Sequence, residues 1–366
     1  MACNSTTKIS EVSSLPYLPI GATETVKGVS APFIGIINDE LWVAGGCNFP
    51  VPTTEGGKKT FYNDVYRLDK STNKWTLQGQ LPQALAYGAF VNWNNSVIFI
   101  GGQHAEGSSN KVYLIESKTE GMQISNLPNL PVTADNTIAT IVNDVLYVAG
   151  GIMDGKPSNR LFSLNLIKQD QWVELKSFPG ASRIQPCLVG LGNALYLIGG
   201  FEAATTEQAC ELPIAILKYN ITQNAWHDFA ELPTNIRGEI PAMVGAFAVP
   251  VHSDAILIGG GVNRSIFEYA VNLTYLKAIE TDETKLQEYS DYQKNYLKHS
   301  VDWYQFNDEL YLLNVSDKTW SLAGVNKGWA KAGAGAIFMN DTLFVVGGEL
   351  KPGIRTDEVI GTFFEL

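Results

Sequence analysis

Residues 343–348 read Leu343-Phe344-Val345-Val346-Gly347-Gly348, a short apolar strand stopped by two glycines. The unit occurs five more times, as LWVAGG (41–46), VIFIGG (97–102), LYVAGG (146–151), LYLIGG (195–200) and AILIGG (255–260). A β-branched and aromatic run bounded by glycine reads as a strand that ends in a turn. The first glycines fall at 45, 101, 150, 199, 259 and 347, in steps of 56, 49, 49, 60 and 88 residues. A period near 50 marks one supersecondary unit copied along the chain, and such units must pack on their neighbours to bury their faces.

A second signal follows most copies. The strand Asn63-Asp64-Val65-Tyr66-Arg67-Leu68 leads through a polar turn to Trp75 and then Leu81-Pro82. The same layout joins 161–164 to Trp172, 216–219 to Trp226 and 310–313 to Trp320, while 111–114 leads only to Leu127-Pro128. This pattern resembles the kelch repeat over nearly the whole chain. The resemblance implies an all-β fold, a six-bladed kelch-type β-propeller with residues 1–366 as one domain. The glycines let backbones approach closely, and a tryptophan suits the wedge between neighbouring sheets. A ring must also be closed to protect its edges. Residues 359–366 read as a strand with no tryptophan strand after it, and residues 9–16 carry the missing pattern with its Leu15-Pro16 ending. A strand at about 8–14 is therefore expected to complete the last blade.

The net charge of −11 argues against a general nucleic-acid role. No run of about 20 apolar residues is present to span a membrane. The four cysteines (Cys3, Cys47, Cys187, Cys210) show no CxxC spacing and the four histidines no ligand-like pair, so neither a metal site nor a cofactor is expected. Residues 1–7 have no basic segment followed by an apolar one, so no signal peptide is visible. Two readings stay open: a cytoplasmic protein, or a mature lipoprotein with a lipid anchor at Cys3 ahead of a Ser/Thr linker. Monomer and dimer are both open.

In such a ring the loops after the glycine pairs (47–62, 103–110, 152–159, 201–213, 261–305 and 349–358) converge on one mouth of the central channel. A concave mouth fed by several loops is the default ligand site. The fifth loop, an insertion at about 262–305, is too long for a turn. Its 282–299 segment has acidic residues early and Lys298-His299 late, which predicts a helix walling the mouth. In the sixth loop, Pro352-Gly353 sets a tight turn that brings Glu349 and Arg355 together. Asn48, Arg183, Glu202, Arg237, Glu239 and Arg264 are further polar candidates for substrate contact at the mouth.

The stretch 348–357, GELKPGIRTD, resembles the G-E-x-K-P-G-x-R-T-D motif of the N-acetylneuraminate epimerases, or sialic acid mutarotases. GGCNFP (45–50), AYGAF (86–90) and WNNS (93–96) are similar to further stretches of that family. The order differs: the Glu/Arg loop here follows the other motifs, as in a circular permutation, which a closed ring tolerates. The resemblance implies interconversion of α- and β-N-acetylneuraminate through the open-chain keto form. Glu349 then matches the acid/base and Arg355 its partner for the sugar carboxylate. It also implies a periplasmic location. The alternative is a non-catalytic kelch propeller binding a carbohydrate or protein partner. The S-x-D-x-G-x-x-W boxes of propeller sialidases are absent, and the His and Cys inventory is too poor for a copper oxidase.

Overall fold

The computed structural model describes residues 8–22 and 26–365, so the Cys3 expectation lies outside the described residues. Strands dominate, in a propeller-like all-β arrangement of six four-stranded antiparallel sheets. The first sheet contains Phe33–Ile37, Glu40–Ala44, Asp64–Asp69 and Lys74–Gln80. Four further sheets repeat this order, beginning at Ala89–Trp93, Ile138–Val142, Cys187–Leu191 and Ala242–Val251. The sixth is built from both ends of the described chain: Gly335–Met339, Thr342–Val346 and Val359–Glu365 pair in turn, and Lys8–Leu15 adds the outer strand, from Lys8 opposite Glu365 to Leu15 opposite Val359.

The first strands of neighbouring sheets pack on one another in a closed cycle, the sixth returning to the first. The residue two positions before each first strand, or inside its bulge in the fifth sheet, carries the cycle's hydrogen bonds. Ala31 N–H donates to Gly333 O (2.6 Å), Tyr87 to Ala31 (3.2 Å), Asn136 to Tyr87 (2.7 Å), Gln185 to Asn136 (3.0 Å), Gly245 to Gln185 (3.4 Å) and Gly333 to Gly245 (2.7 Å). All six residues are left-handed, with φ between 50° and 61°. A non-glycine residue rarely takes this conformation, and here it lets one peptide per sheet turn its N–H and C=O along the ring.

The glycine pairs lie at the same end. In the sixth copy, Gly347 and Gly348 have φ of 60° and 106°, and a Cβ on Gly347 would sit 2.5 Å from Val29 O. The fifth copy corrects the register read from the sequence. Its left-handed pair is Gly260-Gly261 (φ 68° and 87°), while Gly259, unlike the first glycines of the other copies, is not left-handed. The tryptophans bridge sheets as well as fill space. Indole Nε1 of Trp75, Trp172, Trp226 and Trp320 donates to the carbonyls of Pro16 (2.8 Å), Pro128 (2.8 Å), Lys176 (2.8 Å) and Glu231 (3.0 Å), each on the preceding sheet's outer edge. A buried indole N–H needs such a partner.

Between strands Ala255–Val262 and Glu309–Asn314 lie two helices, α1 (Arg264–Ile279) and α2 (Glu283–Tyr296). The sequence reading recognised only the second. Asn263 caps α1 through a bond from Ile266 N–H, and Asp282 caps α2 through bonds from Thr284 and Lys285 N–H. Among the described residues no helix is long and apolar enough to cross a membrane.

Candidate functional site

Strand Glu349–Lys351 turns back on Ile354–Arg355 as a hairpin, with Gly353 at φ 87° in the turn. The hairpin places Glu349 opposite Arg355, whose guanidinium donates to Glu349 Oε1 through Nη1. Gly353 N–H donates to the same oxygen (2.9 Å). No hydrogen bond to Glu349 Oε2 is found among the described residues, so one carboxylate oxygen is anchored and the other is free. Arg355 is 8% exposed, while the Glu349 side chain keeps 24% of its surface open. The guanidinium also donates from Nε to Ser30 Oγ (3.0 Å) and lies 5.0 Å from the Phe49 ring centre. Burial works against its charge, but the Glu349 carboxylate, aided by Tyr87 and Cys47, raises its pKa overall.

Glu349 opens into a cavity of about 400 Å³ at the mouth. Gln185, Ala332 and Pro352 border it from the ring and hairpin, and α1, α2 and the turn Val301–Tyr304 wall its other side. Lys351 ties the hairpin to that wall. Its Nζ donates to Leu297 O (3.1 Å) and His299 O (2.5 Å) just past the end of α2, where a cation satisfies orphan carbonyls and meets the negative helix end. Tyr304 hydroxyl donates to Tyr296 O, and burial pushes its pKa up to about 12. Opposite the helical wall, Gln185 Nε2 donates to Asn136 Oδ1 (2.8 Å) and Asn136 Nδ2 to Asp135 Oδ1 (2.5 Å). Tyr87 adds a phenol whose pKa is raised, chiefly by burial and then by Cys47, with Lys59 Nζ 4.5 Å from its ring centre. Tyr87, Asn136 and Gln185 were not among the site candidates of the sequence, because the left-handed ring that lines them up has no motif of its own.

The other candidates sit elsewhere. Asn48 is fully buried beneath the mouth: its Nδ2 donates to Gly21 O (3.0 Å) and Gly28 O (2.9 Å), and Oδ1 accepts from Tyr62 (2.8 Å). Arg183 is buried with no carboxylate partner among the described residues, donating to Gly199 O (3.3 Å) and Ala215 O (3.1 Å), and burial lowers its pKa to about 10. Arg264 fastens the start of α1 to the carbonyls of Ile240 (3.0 Å) and Leu212 (3.0 Å). Glu202 accepts from Ser182 Oγ (2.7 Å). Arg237 and Glu239 are exposed at a small separate crevice, where Arg237 meets Asp308 at 3.9 Å. None of these six lines the mouth cavity, because each side chain is drawn to a local partner or to solvent.

The fold and site define a propeller-like protein with a carboxylate and a guanidinium at the channel mouth. The sequence profile of the N-acetylneuraminate epimerases matches residues 3–124 and 127–365, and the chain belongs to that family. It is 30% identical over 239 residues to an N-acetylneuraminate epimerase of Salmonella typhimurium, covering 64% of this chain and 58% of the relative. An epimerase of the same name from Escherichia coli is 28% identical over 237 residues, covering 64% of this chain and 60% of the relative. The chain thus aligns with less than two thirds of the length of these relatives. A solved structure described as that of YjhT superposes with a TM-score of 0.62 at 17% identity, covering 94% of this chain and 96% of the other.

Proposed function

We propose that this protein is a sialic acid mutarotase that interconverts α- and β-N-acetylneuraminate through the open-chain form. In this reading residues 1–366 form one six-bladed kelch propeller domain, with an insertion at 262–305 in the fifth blade. The six sheets and the closed cycle of ring hydrogen bonds support that count. The circularly permuted order rests on the positions of the sequence motifs, with GELKPGIRTD (348–357) after GGCNFP, AYGAF and WNNS.

The observation that carries the function is the half-anchored Glu349 carboxylate on the cavity. With Oε1 held by Arg355 and Gly353, Oε2 can take the proton from the anomeric hydroxyl. As that O–H bond breaks, the anomeric carbon–ring oxygen bond cleaves, the ring oxygen takes a proton from solvent in the mouth, and a ketone is left. Rotation of the ketone and reclosure on its other face, with proton transfers reversed, gives the second anomer. Arg355 keeps Glu349 oriented and offers positive charge to the sugar's carboxylate, a pairing that guanidinium geometry suits. The test is the rate of anomer equilibration by proton NMR. Wild-type protein accelerates it, and Glu349→Gln and Arg355→Ala lose the acceleration while keeping their circular dichroism spectra. Full activity in Glu349→Gln removes Glu349 from the mechanism.

A further inference from the structure

Among the described residues, the polar side chains lining the mouth cavity are Gln185, Gln293, Tyr296, Tyr304 and Glu349. Most of their donors are committed elsewhere. Gln185 Nε2 donates to Asn136 Oδ1 (2.8 Å) and the Tyr304 hydroxyl to Tyr296 O. Gln293 is exposed, and its Oε1 accepts from Lys277 Nζ (2.6 Å) on α1. Tyr296, at the end of α2, differs from these. Its ring is held from several sides: Tyr292 stacks on it at 5.8 Å, and Tyr304 and Trp303 meet it edge to face at 5.3 Å and 6.1 Å. Its hydroxyl nevertheless makes no hydrogen bond among the described residues. A largely buried phenol normally finds a partner. Lys351, on the hairpin that carries Glu349, binds the carbonyls of Leu297 (3.1 Å) and His299 (2.5 Å) just past Tyr296. The carboxylate and this phenol are therefore fastened to different walls of one cavity.

We propose that the Tyr296 hydroxyl is a catalytic hydrogen-bond donor to the sugar's ring oxygen as the ring opens. The inference rests on the mutarotase reading, which requires charge to build on that oxygen. When Glu349 takes the anomeric proton, the electron pair of the O–H bond forms the ketone. The pair of the carbon–ring oxygen bond leaves on the ring oxygen. Negative charge thus passes from Glu349 to that oxygen until solvent protonates it, and Glu349 later returns its own proton to solvent. The two sugar oxygens share the anomeric carbon, so base and donor must approach that carbon from different sides, as two walls of one cavity allow. A donor held in place beforehand stabilises such an oxyanion without reorganising. Burial raises the Tyr296 pKa most, and the Tyr304 and Tyr292 hydroxyls and the Glu349 carboxylate add to it. The phenol therefore keeps its proton through the neutral range and acts by donating rather than by ionising. On reclosure the same hydroxyl steadies the ring oxygen as it attacks the other face of the ketone.

Tyr296→Phe tests this, because it removes the hydroxyl alone. It keeps the aromatic contacts and breaks no hydrogen bond of that hydroxyl within the described protein, so the variant should fold. NMR equilibration of N-acetylneuraminate at several concentrations gives kcat and KM. Loss of one oxyanion donor should lower kcat about 100-fold and leave KM within about twofold. Affinity for the methyl α-glycoside of N-acetylneuraminate, which cannot open, should be unchanged. Tyr289→Phe, on the same helix but outside the cavity lining, should keep the wild-type kcat. A Tyr296→Phe kcat within about threefold of wild type overturns the proposal and leaves the mutarotase reading standing. Weaker glycoside binding and a raised KM at unchanged kcat overturn it too, since the hydroxyl would then serve ground-state binding. An equal fall in kcat for Tyr289→Phe overturns it by pointing to the packing of α2. No acceleration by wild-type protein removes both ideas, because no ring opening is left to assist.

Discussion

Replacing Arg355 with lysine keeps the charge and removes the fork, which isolates what the guanidinium geometry contributes. Arg355 donates in two directions at once, from Nε to Ser30 (3.0 Å) and from Nη1 to Glu349, with its Cζ 5.0 Å from the Phe49 ring centre. A lysine ammonium can reach one of these partners. Losing a buried hydrogen bond from a charged donor costs about 1.5–3 kcal/mol, and losing the stacking on Phe49 adds about 0.5–1 kcal/mol. Discounting for the charge that lysine retains, the variant should be less stable by about 2–3 kcal/mol. Full truncation to alanine should cost more, about 3–5 kcal/mol, because it leaves the Glu349 carboxylate without its partner. Glu349 Oε1 also loses an anchor, and a loosened base reduces turnover by about 10–100-fold. Urea unfolding gives the first figure and NMR equilibration the second. A lysine variant within 0.5 kcal/mol and twofold of wild type would refute the idea that geometry, beyond charge, makes this pair work.

Other perturbations test the ring, the wall and a surface turn. Trp226→Phe leaves the Lys176 carbonyl without its indole donor (2.8 Å), and should lower stability by about 1–3 kcal/mol in urea unfolding. Lys351→Met frees the carbonyls of Leu297 and His299, and should raise amide hydrogen exchange across 283–304 while leaving the first three sheets unchanged. Asp69 accepts bonds from Ser71 and Thr72, which lower its pKa from 3.8 to about 2. A depressed carboxylate stabilises the fold above its unfolded pKa and loses that contribution as pH falls. Acid unfolding should therefore show an Asp69-dependent component between about pH 4 and 2 that is missing in Asp69→Asn.

The glycine pairs and tryptophans were legible because they are local: each repeat unit solves the same steric problem with the same residues. The sixth sheet's outer strand was legible for the same reason, since residues 9–16 carry the repeat pattern that residues 359–365 lack. Two features were hidden. Helix α1 reads RSIFEYAVNLTYLKAI, and its apolar residues spread round most of the helix because one side faces α2 and another the cavity, so no clean stripe marks it. The left-handed ring residues Ala31, Tyr87, Asn136 and Gln185 share no side-chain type; what they share is a backbone state imposed by closure, which sequence does not display. Glu349 and Arg355 stood out because Pro352-Gly353 marks a turn between them and the stretch GELKPGIRTD resembles a family motif; the hairpin sets them opposite one another. Asn48, Arg183 and Arg264 have equally suitable chemistry, but nearby carbonyls claim their donors, and those carbonyls become neighbours only in the fold.

The central claim is that Glu349 at the channel mouth moves the anomeric proton of a sialic acid. Proton NMR of freshly released α-N-acetylneuraminate, followed as the β signal grows, tests it most directly. Wild-type protein should shorten the equilibration time in proportion to its concentration, and Glu349→Gln should return it to the spontaneous value. An unchanged rate with folded wild-type protein would mean that Glu349 moves no such proton.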